Sequence, residues 1–378
     1  MPAIEKELKD VHGYRYPFEG EKHLATLIQI PYRLDTWREG ALPAQESFLS
    51  LVKAISAHER CVVAIDPRIP YSVVRRFQLK NVTILRLPYD DSWARDNSPI
   101  FLSSPDGRLC GVDFSFNAWG GEFDGLYPDF KDDDAFSRRV LLELRIPRLD
   151  RKGFVLEGGS VLTDGRGTLL TTEECLLSPG RNPGKTKEEI EAVLKESLCQ
   201  KQVLFLPHGL YEDETDGHVD NICAFLDPRT IALTVPEDKE DPQYRRSMED
   251  MAFLKAAKDA EGASYTILTL PMPGPLYLSR EEAEGLENTG TAVERKEGRR
   301  LAASYANLYQ GEDFLLLPQF GVKEDAIALK TLSDFYGDRK KIYPIPSREI
   351  LLGGGNIHCV TKEIPYSSRY PIEPEEGK

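Results

Sequence analysis

A cysteine near the C-terminal end of the sequence follows a run of glycines. Cys359 closes the segment GGGNIHC, which begins at Gly353 and continues into alternating polar and apolar residues. Glycine weakens a strand and is tolerated mainly where a ligand or another backbone approaches closely. A single cysteine in a strand is usually a small buried apolar residue, and this interpretation stays open. The glycines, Gly355 among them, favour a second interpretation, in which Cys359 is a nucleophile beside a flat ligand.

A cysteine nucleophile needs a histidine, and the adjacent one is poorly placed. If the segment is extended, His358 and Cys359 point to opposite faces, so the partner must come from elsewhere. His218 is the natural candidate, because the spacing HVD places His218 and Asp220 on one face of a strand. Two alternatives remain: these residues are structural turn or cap groups, or the HxD pair ligates a metal. No further histidine lies at ligand spacing for the second.

Carboxylates recur at regular intervals along the chain. Asp96 lies in DDSWARDNSP, Glu157 lies in LEGGS and Asp220 lies in YEDETDGHVD. Asp96 and Glu157 are 61 residues apart, and so are Glu157 and His218. Each cluster alone is compatible with a solvated acidic loop, with Arg95 as an internal salt-bridge partner. The equal spacing indicates that the clusters occupy equivalent places in repeated units.

A pocket with one thiol, one histidine and several carboxylates suits a guanidine substrate. Carboxylates accept paired hydrogen bonds from the planar guanidinium cation. Its central carbon is a sluggish electrophile, so a thiolate nucleophile is of use. Ammonia leaves only when protonated, and histidine can donate and later accept that proton near neutral pH.

The elements that must position these residues follow from periodicity. Apolar residues at a spacing of three to four predict five helices, and a shorter helical piece is expected at Val73–Leu79. The five are Glu46–His58, Asp133–Leu144, Lys187–Leu198, Arg245–Glu261 and Glu324–Tyr336. Short β-rich runs that end near proline follow most of them: CVVAIDP, VTILRLP, VLFLP, YTILTLP and KIYPIP.

Four hairpins are predicted from polar turns between apolar runs. They are IFLSSPDGRLCGVDF, SVLTDGRGTLLTT, NICAFLDPRTIALT and NLYQGEDFLLLP. Carboxylate or histidine clusters lie just upstream of the first three. A quasi-repeat of this kind favours units around an axis or along a solenoid, and units around an axis would bring the clusters together. A doubly wound α/β sheet is the rival, but it accounts poorly for the hairpins.

Composition narrows the function classes. The 378 residues include 40% hydrophobic and 29% charged residues, as in a globular protein with a large core. A formal charge of -14 argues against general nucleic-acid binding and is compatible with a cationic small substrate. The six cysteines are scattered without a CxxC pair, which favours a reducing compartment. Without an apolar leader or a membrane-length apolar run, we expect a cytoplasmic protein.

Eight motifs, taken in order, resemble those of the agmatine deiminases in the guanidine-modifying (pentein) superfamily. They are DDSWARD, FNAWGG, EGGS, TLLTTEECLLSPGRNP, YEDETDGHVDNICAF, MPGPLY, RLAASYANLY and GGGNIHC, and they cover about Asp90 to Pro365. The resemblance implies a single α/β domain over residues 1–378, built as a five-bladed propeller of ββαβ-type units around a central site. Residues 1–20 and 368–378 are expected to be peripheral or poorly ordered.

The resemblance also implies an activity and roles for individual residues. The expected reaction is hydrolysis of agmatine to N-carbamoylputrescine and ammonia, in polyamine synthesis or agmatine breakdown, without metal or organic cofactor. Cys359 matches the nucleophile, His218 the general acid and base, Asp96 and Asp220 the guanidinium-binding pair, and Glu157 the carboxylate that orients the histidine. Trp93, Asp213 and Glu214 match parts of the substrate pocket, and a homodimer is the family expectation.

Two departures from the family pattern concern the loop beside Asp96. DNSP replaces the commoner DTGP, and SPGRNP replaces NPNRNP. The alternatives are an arginine or peptidyl-arginine deiminase of the same superfamily and, more remotely, a metal-dependent hydrolase or a non-catalytic binding protein. An arginine deiminase would need a cation for the substrate carboxylate, and a peptidyl-arginine deiminase would need an open cleft.

Overall fold

The computed structural model describes residues 6–370, which form strands and helices in alternation. The strands are β1 (Glu7–Leu8), β2 (His23–Gln29), β3 (Cys61–Ala64), β4 (Val82–Leu85), β5 (Ile100–Ser103), β6 (Leu109–Ser115), β7 (Arg148–Val155), β8 (Leu162–Thr163), β9 (Thr168–Thr172), β10 (Gln202–Leu206), β11 (Cys223–Asp227), β12 (Thr230–Val235), β13 (Thr266–Pro271), β14 (Tyr309–Gln310), β15 (Phe314–Gln319), β16 (Lys341–Pro346) and β17 (Thr361–Pro365). The α-helices are α1 (Leu42–Ser56), α2 (Tyr71–Val74), α3 (Ala94–Asn97), α4 (Gly121–Asp124), α5 (Lys131–Leu144), α6 (Glu173–Leu176), α7 (Lys187–Leu198), α8 (Pro242–Ala256), α9 (Arg280–Glu284), α10 (Glu324–Tyr336) and α11 (Arg348–Leu352).

The strands of residues 6–370 form five separate sheets with one recurring connection. Their orders are β1-β7-β6-β5, β10-β9-β8, β11-β12-β13, β14-β15-β16 and β17-β2-β3-β4. In each sheet an antiparallel pair is followed by a long helix and then by a strand parallel to the second strand of the pair. The parallel pairing requires such a crossover connection. One doubly wound sheet, the rival interpretation, is not what these residues form.

All four predicted hairpins are confirmed, as are the helices that follow them. The pairs are β5 with β6, β8 with β9, β11 with β12, and β14 with β15. The fifth antiparallel pair joins the ends of the chain, because β17 pairs with β2. The last sheet is therefore completed only by the residues that directly follow Cys359.

Three of the five long helices show clear local causes. Thr186 and Glu189 form a reciprocal capping box at the start of α7, and Asp241 with Pro242 begins α8. In α5 the buried residues Phe136, Val140 and Leu141 lie on one face. Each fully buried side chain of this size contributes about 1.5–3 kcal/mol. The helices thus cover the sheets and leave the strand ends to the loops.

Some predicted boundaries were wrong. The first helix begins at Leu42 and not at Glu46, since Pro43 suits the first turn. The fourth ends at Ala256 and not at Glu261, because Ala257 is extended and the Asp259 carboxylate accepts bonds from the Glu261 and Ala263 backbone instead.

The N-terminal segment is peripheral over its first part and buried near Phe18. Residues 6–10 are mostly exposed, whereas Tyr16 and Phe18 are buried and Glu19 bonds to Arg95 and His358. The prediction of a peripheral segment over residues 1–20 is therefore wrong for residues 16–19, while residues 1–5 and 371–378 lie outside the described part. Among residues 6–370, no helix has the length and apolar character needed to cross a bilayer.

Candidate active site

The loops that lead into the five antiparallel pairs carry polar side chains that converge. These side chains precede equivalent strands: Asp96 before β5, Glu157 before β8, His218 and Asp220 before β11, Asn307 before β14 and Cys359 before β17. Contacts join them in pairs, since His218 Nδ1 lies 4.0 Å from Asp96 Oδ1 and Asn307 Nδ2 lies 3.2 Å from Cys359 Sγ. The predicted convergence of the carboxylate clusters with Cys359 is therefore present in the structure.

Cys359 lies at the floor of a cavity and contacts Asn307. Asn307 Nδ2 donates to Cys359 Sγ at 3.2 Å, and Asn307 Oδ1 accepts from the backbone N–H of His358 at 3.0 Å. Cys359 is 6% exposed. Burial, reinforced by the Asp220 and Asp96 carboxylates, raises the pKa of its thiol well above the usual range, and the Asn307 bond opposes this. The resting thiol is therefore protonated at neutral pH.

The glycine run brings the backbone against aromatic rings. A Cβ on Gly355 would lie 2.6 Å from the Trp93 ring and 3.1 Å from Cys359 Sγ, and one on Gly353 would lie 2.6 Å from the Trp37 ring. Gly354 has a φ of +109°. Glycine is thus required here by the adjoining indoles, and the three glycines line the cavity next to the thiol.

Asp96 is held by two donors. Trp119 Nε1 donates to Asp96 Oδ2 at 3.0 Å, and the Gly159 backbone N–H donates to Oδ1 at 2.8 Å. Burial raises the pKa of Asp96 to about 6; the Asp220 and Glu157 carboxylates add to the increase and His218 opposes it. The Asp96 loop is closed by Asn97, which donates to Asp133, so the DNSP departure has a structural use.

Gly159 marks the point around which three polar groups gather. A Cβ there would lie 2.7 Å from His218 Nδ1 and 2.9 Å from both Asp96 Oδ1 and Asp220 Oδ2. His218 Nδ1 lies 4.0 Å from Asp96 Oδ1. Although burial disfavours the cation, Asp96 and the neighbouring Cys175 and Glu157 outweigh it and raise the pKa of His218 well above its usual range. The surroundings of His218 therefore favour its imidazolium form.

Glu157 lies beyond His218 but is bonded to an arginine. Its Oε2 is 3.9 Å from His218 Nε2, outside hydrogen-bond distance, and its Oε1 is 2.8 Å from Arg181 Nε. Burial alone would raise the pKa of Glu157, but the Arg181 guanidinium and His218 lower it to about 2. Arg181, from the SPGRNP motif, also binds Asp216 at 2.6 Å. Glu157 is thus a fixed anion behind the histidine.

The local conformation of His218 and Asp220 differs from the prediction. They do not lie on a strand, since His218 precedes a 3-10 helix over Val219–Asn221 that contains Asp220. Cys359 likewise lies in a turn before β17. His358 does not face away from the site, because its Nδ1 lies 2.7 Å from Asp220 Oδ2. The proximity of His218 and Asp220 around Gly159 therefore does not come from strand alternation.

The rest of the cavity wall is aromatic and ionic. Trp93 stacks on Trp37 with ring centroids 5.3 Å apart, and both indoles donate to Asp91. Glu214 lies 2.7 Å from Arg295 Nη2 and 3.1 Å from Arg299 Nη2. The space inside the cavity and its opening to solvent together measures about 530 Å³. Trp93 and Glu214, both predicted pocket residues, line it together with Asp96, Arg295 and Cys359.

Asp213, predicted to contact substrate, has another function in the structure. Its Oδ2 accepts bonds from Thr215 Oγ1 at 2.7 Å, from the His218 backbone N–H at 3.1 Å and from Asn221 Nδ2 at 3.1 Å. It does not line the cavity that contains Cys359. Asp213 instead shapes the loop that places His218.

Comparison with known proteins decides the family. A sequence model described as Porphyromonas-type peptidyl-arginine deiminase matches residues 15–365. The chain belongs to this family. It is 41% identical over 353 residues to the agmatine deiminase of Stutzerimonas stutzeri (strain A1501), covering 93% of this chain and 96% of that one. The resemblance to agmatine deiminases noted in the motifs is confirmed, as is a hydrolase acting on amidine C–N bonds.

Solved structures of the family have the same α/β fold. Agmatine deiminase of Enterococcus faecalis matches with a TM-score of 0.92 and 33% identity, covering 96% of this chain and 99% of that one. Agmatine deiminase of C. jejuni matches with a TM-score of 0.78 and 28% identity, covering 94% and 98%. The sheets and loops described above are therefore those of this family.

Several residues at the site were not predicted from the sequence. Asn307 begins the fourth hairpin motif, NLYQGED, and its place before β14 matches that of Asp96 before β5. Equivalence between the repeats was the signal that could have identified it. Trp119 and Arg181 lie in motifs that were noted without a role. Glu19 and Arg295 lie in segments without any such signal.

One group of donor atoms in residues 6–370 has the spacing of a metal site. Single atoms of Glu157, Cys175 and His218 lie within 4.8 Å of one another. The Arg181 guanidinium already neutralises Glu157 at 2.8 Å, so a metal cation there would meet a fixed positive charge. The alternative in which His218 and Asp220 together ligate a metal does not match this group, because Asp220 contacts His358 and is not a member of it.

Proposed function

We propose that this chain hydrolyses agmatine to N-carbamoylputrescine and ammonia through a covalent intermediate on Cys359. The observation that carries the proposal is the cavity lined by Cys359, Asp96 and Glu214, beside which His218 and Asp220 meet Asp96 around Gly159. We place the five sheets as blades of one α/β propeller, a single domain, with the site on its axis. The names of the chain's relatives support agmatine as the substrate.

The guanidinium would bind between Asp96 and Asp220. Asp220 Oδ1 is buried and has no hydrogen-bond partner within residues 6–370, while Asp96 is already fixed by Trp119 and Gly159. Two fixed carboxylates suit the paired N–H donors of a planar cation. The Trp93 ring beside Gly355 favours a flat group next to the thiol. The reacting carbon would thus be held near Cys359 Sγ.

When substrate binds, the Cys359 thiol releases its proton to solvent, and in the first half-reaction the thiolate adds to the guanidinium carbon. The C–S bond forms, and the neutral tetrahedral adduct takes a proton from the His218 imidazolium onto one terminal nitrogen. That C–N bond breaks, ammonia leaves, and an amidino-thioether cation remains on Cys359. The raised pKa of His218 supports this order, because the acid is already protonated when substrate arrives.

In the second half-reaction neutral His218 removes a proton from water. The hydroxide adds to the amidino carbon, the C–S bond breaks, and the ureido product and the Cys359 thiolate are released. The hydroxyl proton of the adduct leaves with the products, so that ammonium forms overall. Glu157, paired with Arg181, stabilises the positive charge that His218 carries before and after this step.

Substrate binding is expected to lower the pKa of Cys359. The carboxylates near the thiol raise its pKa in the empty site, and a bound amidinium neutralises them. The thiolate fraction rises with pH through the pKa, so the midpoint of Cys359 alkylation against pH should move to lower pH when a small unreactive amidine is added.

Iodoacetamide labelling read by peptide mass spectrometry measures this midpoint. The experiment uses a Cys199→Ser background, since Cys199 is partly exposed and the other four cysteines are buried. Addition of methylammonium is the matched control for ionic strength. An unchanged midpoint at a saturating amidine concentration would contradict this part of the proposal.

Glu214 is expected to bind the distal ammonium group of agmatine. It lines the cavity and is paired there with Arg295 and Arg299, whereas the Asp91 carboxylate of the same cavity is bonded to two indoles. Glu214→Gln should raise KM for agmatine by roughly tenfold, the loss of one charge-assisted hydrogen bond of about 1.4 kcal/mol, and should leave kcat within about threefold. Propylguanidine lacks the ammonium group, so its KM should not rise.

A matched control is Glu349→Gln, which removes a carboxylate from a half-buried bidentate pair with Arg38. This variant should keep the KM for agmatine. An equal rise in KM for agmatine and propylguanidine in Glu214→Gln would show that Glu214 does not bind the ammonium group.

An arginine or peptidyl-arginine substrate is the second candidate, favoured by the family description. Arg295 lines the cavity and is a cation that could receive a carboxylate, but both nitrogens that face Glu214 are already engaged, at 2.7 and 3.3 Å. This pairing supports a decarboxylated substrate. Ammonia release from agmatine, free arginine and a blocked arginine peptide, each with and without chelator, decides between them; preference for arginine would overturn the proposal.

A further inference from the structure

His358 is placed between two carboxylates. Its Nδ1 lies 2.7 Å from Asp220 Oδ2, and its Nε2 lies 2.7 Å from Glu19 Oε2. A neutral imidazole has one N–H and can donate to only one of them, whereas an imidazolium donates to both. His358 is 4% exposed and Asp220 is 1% exposed. The arrangement therefore forms a buried bridge, Asp220–His358–Glu19, directly behind the guanidinium-binding carboxylate.

Glu19 is anchored independently of His358. Arg95 Nη2 donates to its Oε2 at 2.8 Å, and the Gln310 backbone N–H donates to its Oε1 at 3.1 Å. Arg95 in turn binds Glu363 at 2.6 Å. The far end of the bridge thus rests on three parts of the chain, which makes Glu19 a fixed acceptor for His358.

The same arginine ties the bridge to the nucleophile loop. The Arg95 backbone N–H donates to the Cys359 carbonyl at 3.1 Å, and its Nε donates to the His358 carbonyl at 3.2 Å. Arg95 is also the neighbour of Asp96 in α3. A shift of His358 would therefore be resisted on its backbone side, and its ring orientation is set by the two carboxylates.

The use of Asp220 Oδ2 by His358 leaves the other oxygen available. Asp220 Oδ1 is buried and has no hydrogen-bond partner within the described part of the chain. A carboxylate held through one oxygen presents the second in a fixed direction, which a bound guanidinium N–H can use. Preorganisation of this kind matters because small displacements of a binding group lower rates strongly.

We propose that His358 is a positioning residue, which holds Asp220 for guanidinium binding through its Nδ1–H and is itself held by Glu19. The inference rests on the proposed function, since it deepens the role given there to Asp220. The charged groups that face His358 are Asp220, Glu19 and Arg95. Burial and Arg95 disfavour the cation, but the two carboxylates outweigh them and raise the pKa of His358.

The test compares His358→Asn with His358→Gln. The asparagine amide can take the place of Nδ1 and keep the bond to Asp220, whereas the glutamine amide reaches the place of Nε2 and keeps the bond to Glu19. Both variants lose the same charge and the same ring. For agmatine, kcat/KM should fall by about tenfold or less in His358→Asn and by about 100-fold or more in His358→Gln. His12→Gln, an exposed histidine, is the control.

Equal losses in the two variants, or a wild-type kcat/KM in His358→Gln, would overturn the proposal, because a merely structural ring would not distinguish the amides. If His358→Gln fails to fold, Glu19→Gln gives a second answer. This variant keeps an acceptor for His358 Nε2 but removes one of the two carboxylates that raise the pKa of His358. The pKa of His358 should therefore fall, and the alkaline limb of kcat/KM should move to lower pH. An unmoved limb would also count against the bridge.

The two proposals fail in different ways. If wild-type enzyme releases no ammonia from agmatine, the proposed function is wrong whatever His358 does. Crystal structures of the two variants then decide the positioning role by themselves. The Asp220 carboxylate should keep its place in His358→Asn and turn away in His358→Gln; the same Asp220 position in both would overturn the inference.

Discussion

Cys359→Ala is expected to abolish ammonia release from agmatine, with a loss in kcat on the order of 10⁵-fold or more. Cys359 is the side chain at this cavity that can form the covalent bond, and the neighbouring carboxylates are weak nucleophiles toward a guanidinium carbon. Continuous ammonia detection measures the loss. Cys199→Ser, which replaces a thiol that donates to the Val11 carbonyl and does not line the cavity of Cys359, should retain wild-type kcat.

Binding should survive the loss of the thiol. Asp96 and Asp220 keep their own partners in Cys359→Ala, so calorimetric Kd for agmatine should stay within about tenfold of the wild-type KM. A fully active alanine variant would end the covalent mechanism. A variant that is inactive and also unable to bind agmatine would show that Cys359 holds the site together and would leave its chemical role to the adduct experiment below.

His218→Gln is expected to have the second-largest effect. Removal of a positioned acid and base costs about 10²–10⁴-fold in kcat, while KM for agmatine should change little because both guanidinium-binding carboxylates remain. A change of leaving group sharpens the test. The S-methylisothiourea analogue of agmatine expels methanethiolate, which leaves without protonation and gives the same amidino-thioether on Cys359.

With this analogue, His218→Gln should release methanethiol in a burst of about one equivalent and then stall, because the variant cannot activate water for the second half-reaction. Quenched-flow detection of the thiol measures the burst. Steady turnover of the analogue by His218→Gln at the wild-type rate would contradict a role for His218 in hydrolysis, and the absence of a burst in this variant would contradict its role as acid. His12→Gln again serves as the control.

The repeated architecture was predictable because its signals are local. Polar turns such as PDG and DPRT between apolar runs specify hairpins, and the 3.6-residue period specifies α5, α7 and α10 close to their observed limits. Equal spacing of Asp96, Glu157 and His218 then indicated that equivalent loops meet. These features depend on neighbours in sequence, so the sequence carries them directly.

Partners that depend on tertiary contacts could not be predicted in the same way. His358 was expected to face away because a strand was assumed, whereas the turn after Gly355 lets it reach Asp220. Asp213 resembles a pocket residue but binds the His218 backbone. Glu19 enters the site from a segment with no pattern of its own. Each of these contacts depends on which loops come together in the folded chain, and a local sequence pattern does not carry that information.

Some predictions made from the sequence stay predictions. These are the homodimer, the cytoplasmic location and the place in polyamine synthesis or agmatine breakdown. At the site, the structure shows two partners that the sequence did not indicate: Asn307 contacts the Cys359 thiol, and Arg181 pairs with Glu157.

Trapping the covalent intermediate tests the central claim most directly. Wild-type enzyme is mixed with agmatine, quenched in acid during turnover, digested and analysed by mass spectrometry. The account predicts an adduct with the mass of agmatine less ammonia on the peptide that contains Cys359, formed and lost at rates compatible with kcat and absent in Cys359→Ala. Full turnover without an adduct, or an adduct on any other residue, would contradict it.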